Sequence, residues 1–421
     1  MFLRHAALLF IAFRAADAVN LVAGLYLVPK FVASGDLGAV LPLVTFATAL
    51  ATPAFAFAFV LMRESNALAS ARDFGRLKSL LLGSFVGTAS LLVLSLAVAA
   101  LFIPRFVTSL NAGSRAVAFA AVVAAFAGSF APVYSDALNG LKRFGAYGLI
   151  EIAAALGRVG TMIVIMPFHA MLGFFCGNAA QPLVRIGGAV AALGRELKVT
   201  SEIYWTLPVL RRLGVQFAGV LATTLPPMLI SLAELSLVRT GLVPDASAQY
   251  YLETRMTSVL GYLTLPILLV LFPYAAQASR AGRSTRPLVV NSSLSALAGA
   301  AILAVAYGLW GEKLMGLFPD ASSRTPDPNL FRNLMTLLVI EFSGAVTVFY
   351  TNAQIAAGRF RHLAWFVPLH LAYAAILSCA TLSPRLEALL AVFAAFAVVR
   401  LACVAVALGK ADTGAYRPDS R

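Results

Sequence analysis

The chain has 421 residues, of which 60% are hydrophobic and 12% charged, with a formal charge of +14 and a mean hydropathy of +0.87. So little charged surface excludes an ordinary soluble domain. A bilayer core about 30 Å thick needs roughly 20 apolar helical residues per crossing, and twelve such stretches use up nearly the whole sequence, so function must come from side chains inside a helix bundle.

In chain order the predicted spans cover 6–29, 38–62, 79–103, 116–140, 146–167, 170–193, 213–238, 248–273, 288–309, 332–354, 363–382 and 387–408. Basic residues gather in alternate connections. Arg63, Arg72, Arg76 and Lys78 follow the second span, Lys142 and Arg143 the fourth, and Arg195, Lys198, Arg211 and Arg212 the sixth. Arg280, Arg283 and Arg286 follow the eighth, and Arg359 and Arg361 the tenth. The positive-inside rule then puts both termini in the cytoplasm. Basic charge scattered over separate segments argues against a nucleic-acid partner.

Arg4, the apolar run from Ala6 to Phe13 and the triplet Ala16-Asp17-Ala18 imitate a signal peptide. Arg14 interrupts that run and apolar sequence resumes at Val19, so the first span is expected to be retained. Cys176, Cys379 and Cys403 fall inside spans without metal-ligand spacing, and His5, His169, His362 and His370 are scattered. With no phosphate loop and no nucleophile elbow, neither a metal, a cofactor nor an enzymatic centre is expected. The outside segment 310–331 has Asp320 and Asp327 but little core-forming material, which argues against a glycosyltransferase or polymerase.

The chain resembles itself at an offset of about 210 residues. Ser34-Gly35-Asp36-Leu37-Gly38 corresponds to Pro244-Asp245-Ala246-Ser247-Ala248, and Arg72-Asp73-Phe74-Gly75-Arg76 to Arg280-Ala281-Gly282-Arg283. Gly140-Leu141-Lys142-Arg143-Phe144 corresponds to Ala357-Gly358-Arg359-Phe360-Arg361. Six spans per repeat send both halves into the membrane in the same direction, as parallel repeats around a central cavity. The fold expected is all-α and polytopic. An N-terminal lobe covers 1–193, a cytoplasmic linker 194–210, a second lobe 211–409 and a tail 410–421. Ile203, Leu207 and Leu210 have the spacing to lay part of the linker along the membrane surface. Pro226-Pro227 and Pro266 are candidate bending points in spans seven and eight, although proline is common in membrane helices.

These loop residues also carry a family resemblance. Val28-Pro29-Lys30-Phe31 leading into Gly35-Asp36-Leu37-Gly38, Asn66-Ala67-Leu68-Ala69 with Gly75-Arg76, and Asn139-Gly140-Leu141-Lys142-Arg143-Phe144 belong to it. So do Leu271-Phe272-Pro273 with Gly282-Arg283, and Asn352 with Ala357-Gly358-Arg359-Phe360. The pattern resembles bacterial lipid-linked oligosaccharide flippases, also called polysaccharide-export or O-antigen translocases. They belong to the multidrug/oligosaccharidyl-lipid/polysaccharide exporter superfamily, which includes multidrug and toxin extrusion transporters. Ala248 departs from the glycine frequent in that family before Tyr250. Twelve spans, rather than the usual fourteen, argue against the peptidoglycan-precursor branch.

Charges inside spans are expensive and persist where they pair, line a wet cavity or carry function. Arg14, Asp17 and Asn20 share one face of span one. Glu151 and Arg158, two turns apart in span five, are expected to form structural ion pairs or to bridge neighbouring helices. Arg255 in span eight cannot face Glu253 at a spacing of two, and Tyr251, Thr254 and Tyr262 add polar character there. Glu341 stands in an apolar stretch, as a titrating carboxyl or a partner for an arginine of another span. Arg185 and Arg400 are expected to snorkel to the cytoplasmic ends.

The resemblance implies a monomeric flippase of the bacterial inner membrane for an isoprenoid-diphosphate-linked oligosaccharide, working by alternating access. Arg14, Asn20, Tyr251, Arg255 and Tyr262 would contact the substrate, arginine's planar fork suiting phosphate oxygens. Asp17 and Glu341 would couple transport to H+ or Na+. The alternative is an ion-coupled multidrug or toxin extruder, whose cavity would favour carboxylates and aromatics over arginines.

Overall fold

The computed structural model describes residues 2–110, 114–316, 329–379 and 386–410, and every regular element among them is helical. Asp320 and Asp327 lie outside the described residues. Helix α1 (Phe2–Val22) runs through a π-turn at Ala23–Leu27 into α2 (Val28–Phe31). It is followed by α3 (Ser34–Ser70), α4 (Phe74–Leu110), α5 (Arg115–Gly140), α6 (Phe144–Ile165) and α7 (Ala170–Ala192). A 3-10 turn at Glu196–Lys198 precedes α8 (Leu207–Gly241), α9 (Pro244–Thr257), α10 (Val259–Arg280) and α11 (Arg286–Met315). Helices α12 (Leu330–Ala356), α13 (Leu363–Cys379) and α14 (Leu386–Lys410) complete the chain. With α1–α2 one span and α9–α10 another, these are the twelve crossings of a polytopic all-α membrane protein.

Nine helices among the described residues are long and apolar enough to cross a bilayer. The other three crossings are α7, which carries Asn178, Gln181 and Arg185, the interrupted α9–α10, and the short α13. Helices α3, α4 and α8 run well past their predicted spans, because hydropathy marks only the lipid-crossing part of a helix. Pro226 and Pro227 lie inside an uninterrupted α8, and the break in the eighth span falls at Ser258 rather than at Pro266.

Compact packing divides the chain into Met1–Thr240 and Gly241–Arg421. The first unit therefore includes α8, the opening span of the second repeat. Arg212 donates to Glu64 of α3 and Phe217 meets the ring of Phe57 edge-on, which fastens the start of α8 to α3.

Inside each unit the repeat is visible in the order of helix pairing. In the first, α3 packs on α5, α4 on both, and α5 on α7. In the second, α10 packs on α12, α11 on both, and α12 on α14. Small residues permit these approaches: a Cβ at Gly177 of α7 would meet Met162 Cγ of α6 at 2.4 Å.

The turns repeat as well. Arg72 (φ 60) and Lys142 (φ 58) in the first half, and Gly282 (φ 68) and Gly358 (φ 66) in the second, adopt the left-handed conformation just past a helix end. At each, the next amide (Asp73, Arg143, Arg283, Arg359) donates to the carbonyl five residues back (Leu68, Leu138, Ala278, Gln354). This is the Schellman closure, which satisfies a terminal carbonyl. At the other end of the bundle, Ala33 (ψ 149) and Val243 (ψ 153) precede α3 and α9, with Asp36 and Asp245 in the first turns. Negative charge there complements the helix dipole.

Candidate functional site

In the first unit, α1, α6 and α7 place charged groups within the membrane-spanning bundle. Arg14 Nη2 lies 3.0 Å from Asp17 Oδ2, one turn along α1. A turn further, Asn20 Oδ1 accepts a hydrogen bond from Arg158 Nη1 of α6 at 2.8 Å. Glu151, also on α6 and only 2% exposed, accepts from Arg185 Nη2 of α7 at 2.5 Å. Glu151 and Arg158 thus bridge to different neighbours instead of to each other. Asp17 acts electrostatically on Glu151, tying the three pairs into one cluster. Glu151 Oε1 and Arg185 Nε are buried without a hydrogen-bond partner. Such groups call for water, an ion or a ligand, since leaving one unmet costs about 1–3 kcal/mol. Phe13 meets Tyr147 edge-on beside them, at 5.5 Å.

Arg185 corrects the expectation of snorkelling. A carboxylate on the adjoining helix offers a closer counter-charge than the membrane surface does. Arg400 in the second unit departs in the same way: its Nε donates to Ser343 Oγ of α12 at 3.0 Å and its guanidinium lies over the Phe396 ring.

Helix α9 carries a polar stripe in the second unit. Ser247 Oγ, Tyr251 Oη, Thr254 Oγ1 and Arg255 Nε are all buried without a hydrogen-bond partner, and their spacing puts them along one helix face. Tyr251 is 1% exposed, and the Arg255 guanidinium lies over its ring at 5.2 Å. Glu253 points elsewhere, accepting from Gln249 Nε2 at 2.8 Å and Asn333 Nδ2 at 3.5 Å. Tyr262 stands one turn past the break, half-buried on α10. Glu341 of α12 is within electrostatic reach of both Arg400 and Arg255, so its surroundings are less apolar than its sequence neighbours suggest.

Of the residues singled out by sequence, Arg14, Asp17 and Asn20 therefore stand together in the first unit. Tyr251, Arg255 and Glu341 share the second, and Tyr262 lies past the break on α10. Ser247 joins Thr254 in the α9 stripe; helical spacing back from Tyr251 was the signal for it. Glu64, Tyr204 and Trp205 gave no signal, because their partners lie far away in sequence. Among the described residues no group of His, Cys, Asp and Glu is placed to hold a metal ion.

No protein-family model and no curated protein matches this sequence. Solved structures do. An outward-facing multidrug resistance MATE family transporter of the MOP superfamily is 14% identical, with 98% of this chain and 96% of that chain covered and a TM-score of 0.64. A MATE in complex with MaD5 gives the same identity, coverage and TM-score. A MOP superfamily transporter from Pyrococcus furiosus Vc1 (DSM3638) is 13% identical over 98% of this chain and 96% of that one, with a TM-score of 0.65. Its binding pocket is described as having reverse polarity, suggesting a different function. At these identities the likeness establishes the fold, that of twelve-span MOP transporters.

Proposed function

We propose that this chain is an ion-coupled exporter of amphiphilic compounds, working by alternating access in the cytoplasmic membrane with both termini inside. The observation that carries the reading is fold likeness over 98% of the chain to a multidrug resistance MATE family transporter. Parallel six-helix repeats are the architecture in which rocking exposes a mid-membrane site to each side in turn. The α9 stripe of Tyr251 and Arg255, with Tyr262 past the helix break, offers aromatic rings, hydroxyls and a cation to cargo, and Arg14 with Asn20 offers a cation and an amide in the first half. Asp17 and Glu341, each beside arginine, are the carboxylates assigned to coupling: protonation or Na+ binding there releases an arginine for cargo.

A second reading, the flippase of an isoprenoid-diphosphate-linked oligosaccharide, is favoured by the guanidinium groups inside the bundle. Arg14, Arg158 and Arg185 stand in the first-half cluster, and Arg255 and Arg400 in the second. The planar donor fork of arginine suits the phosphate oxygens of an anionic headgroup.

Proteoliposomes distinguish the readings. Under an imposed proton or Na+ gradient, extrusion predicts uptake of an organic cation or anion dye, lost with Asp17→Asn. Flipping predicts transbilayer movement of a lipid-linked oligosaccharide, lost with Arg255→Ala, and no dye uptake. Dye uptake that persists in Asp17→Asn and ignores both gradients would overturn the ion-coupled reading.

A further inference from the structure

The segment joining the repeats is fastened along one face of α4. Gly75, Ser79 and Gly83 stand one turn apart there, and residues 196–206 lie across them. The Glu202 amide donates to the Gly75 carbonyl at 3.1 Å, the Tyr204 amide to Ser79 Oγ at 3.3 Å, and Trp205 Nε1 to the Ser79 carbonyl at 3.0 Å. A Cβ at Gly83 would meet Trp205 Nε1 at 2.1 Å, so the indole occupies the space a side chain would need. Its other side faces Phe57 in a stacked arrangement. The Tyr204 hydroxyl and Arg212 both donate to Glu64 Oε2, at 2.7 and 2.8 Å. Lys78 Nζ donates to the Val199 carbonyl at 3.0 Å, and Arg143 pairs with Glu196.

Fixing Tyr204 and Trp205 inward fixes the opposite side outward. Val199 and Ile203 on the irregular segment, and Leu207 and Leu210 in the first turn of α8, are all exposed, Ile203 by 82% and Leu207 by 79%. Around this ridge stand five exposed cations: Arg195, Lys198 and Arg211 on the same segment, Arg72 three residues before Gly75, and Lys142 beside Arg143. Among the described residues none of the five pairs with a carboxylate, whereas Arg76, Arg143 and Arg212 do. Arg72 and Lys142 also keep a left-handed backbone that costs a non-glycine residue stability, where the second half uses glycine. A side chain is retained at each tip despite that cost.

The geometry points to this face as a docking surface for anionic phospholipid, its apolar ridge seated at the acyl boundary and its five cations on headgroup phosphates. Under the charge asymmetry of the loops the leaflet is the cytoplasmic one, whose surface is negative. The assignment is independent of which cargo the transporter carries.

The test uses the full chain with Ile203→Cys, the native Cys176, Cys379 and Cys403 replaced by Ala, and a bimane fluorophore at the new thiol. In phosphatidylcholine liposomes, quenching by brominated phosphatidylglycerol is compared with quenching by brominated phosphatidylcholine at equal mole fraction. Quenching by both, with marked preference for phosphatidylglycerol, is expected. Each surface cation is worth about fivefold in such a preference. Arg72→Gln, Lys142→Gln, Arg195→Gln, Lys198→Gln and Arg211→Gln together should lower it more than tenfold, as should high salt. No quenching, equal quenching by the two lipids, or a preference that survives neutralisation would each overturn the proposal. If the fivefold variant does not insert, Arg72→Gly with Lys142→Gly, which relaxes both turns, must still lower the preference several-fold.

Discussion

Equivalent connections close the two halves with one hydrogen-bond pattern but different residues. The first half puts Arg72 and Lys142 at the left-handed position, and the second puts Gly282 and Gly358 there. Glycine reaches that conformation without penalty, while a side chain meets the neighbouring carbonyl. One half has therefore kept the cheapest backbone solution, and the other has kept charge at the bundle's end. The intramembrane clusters differ too. The first half pairs Glu151 directly with Arg185, whereas the second holds Glu341 within electrostatic reach of two arginines and lines α9 with unmet hydroxyls. Shared ancestry of the turns is compatible with divergent chemistry because turn geometry depends on backbone alone.

The largest test of this contrast is Arg185→Ala. It leaves the Glu151 carboxylate buried and without its cation, which costs about 3–5 kcal/mol, and unfolding in denaturing detergent should show the loss. The corresponding Arg400→Ala in the second half should cost less, since Glu341 keeps Arg255. Equal losses would erase the distinction between the clusters.

Next in size are the turns. Gly282→Ala and Gly358→Ala should each destabilise by about 1–2 kcal/mol. Nothing lies within 4 Å of an added Cβ at either position, so the cost is conformational alone. Arg72→Gly and Lys142→Gly should raise thermal stability by up to about 1 kcal/mol each. Loss of stability in the arginine and lysine variants would mean that these side chains hold the fold, and not only a surface.

Smaller still, Tyr251→Phe removes a buried hydroxyl that has no protein partner. Stability should stay within about 1 kcal/mol of the parent or rise, while transport falls. An intact transport rate would remove Tyr251 from the cargo path.

The smallest effect is titration of His362, in the turn between α12 and α13. Burial holds its imidazole below the usual histidine range, outweighing the opposing bond to the Arg359 backbone. The unfolded chain then takes up the proton first. Stability is complete above about pH 6.5 and declines as pH falls from there toward the folded-state value. Melting temperatures across that window should show the decline in the parent and a flatter profile in His362→Gln.

Much of the architecture was legible in linear order. Nine crossings are long apolar helices among the described residues, the other three are more polar, interrupted or short, and the duplication shows in matching turns about 210 positions apart. The α9 stripe was partly legible, since a helical period links Tyr251 to Thr254 and Arg255. The break at Ser258 was not, because neighbouring prolines offered a more familiar place to bend.

Hydropathy and charge, read along the chain, determined the span number, the parallel repeat and the expected sidedness, because each depends on a helix meeting lipid or water one segment at a time. The partners of Arg185, Arg400 and Glu64, and the seat of Trp205 over Gly83, were decided only in three dimensions. A helix's period tells which residues share a face; which helix that face meets is fixed by the rotation and packing of every neighbour at once.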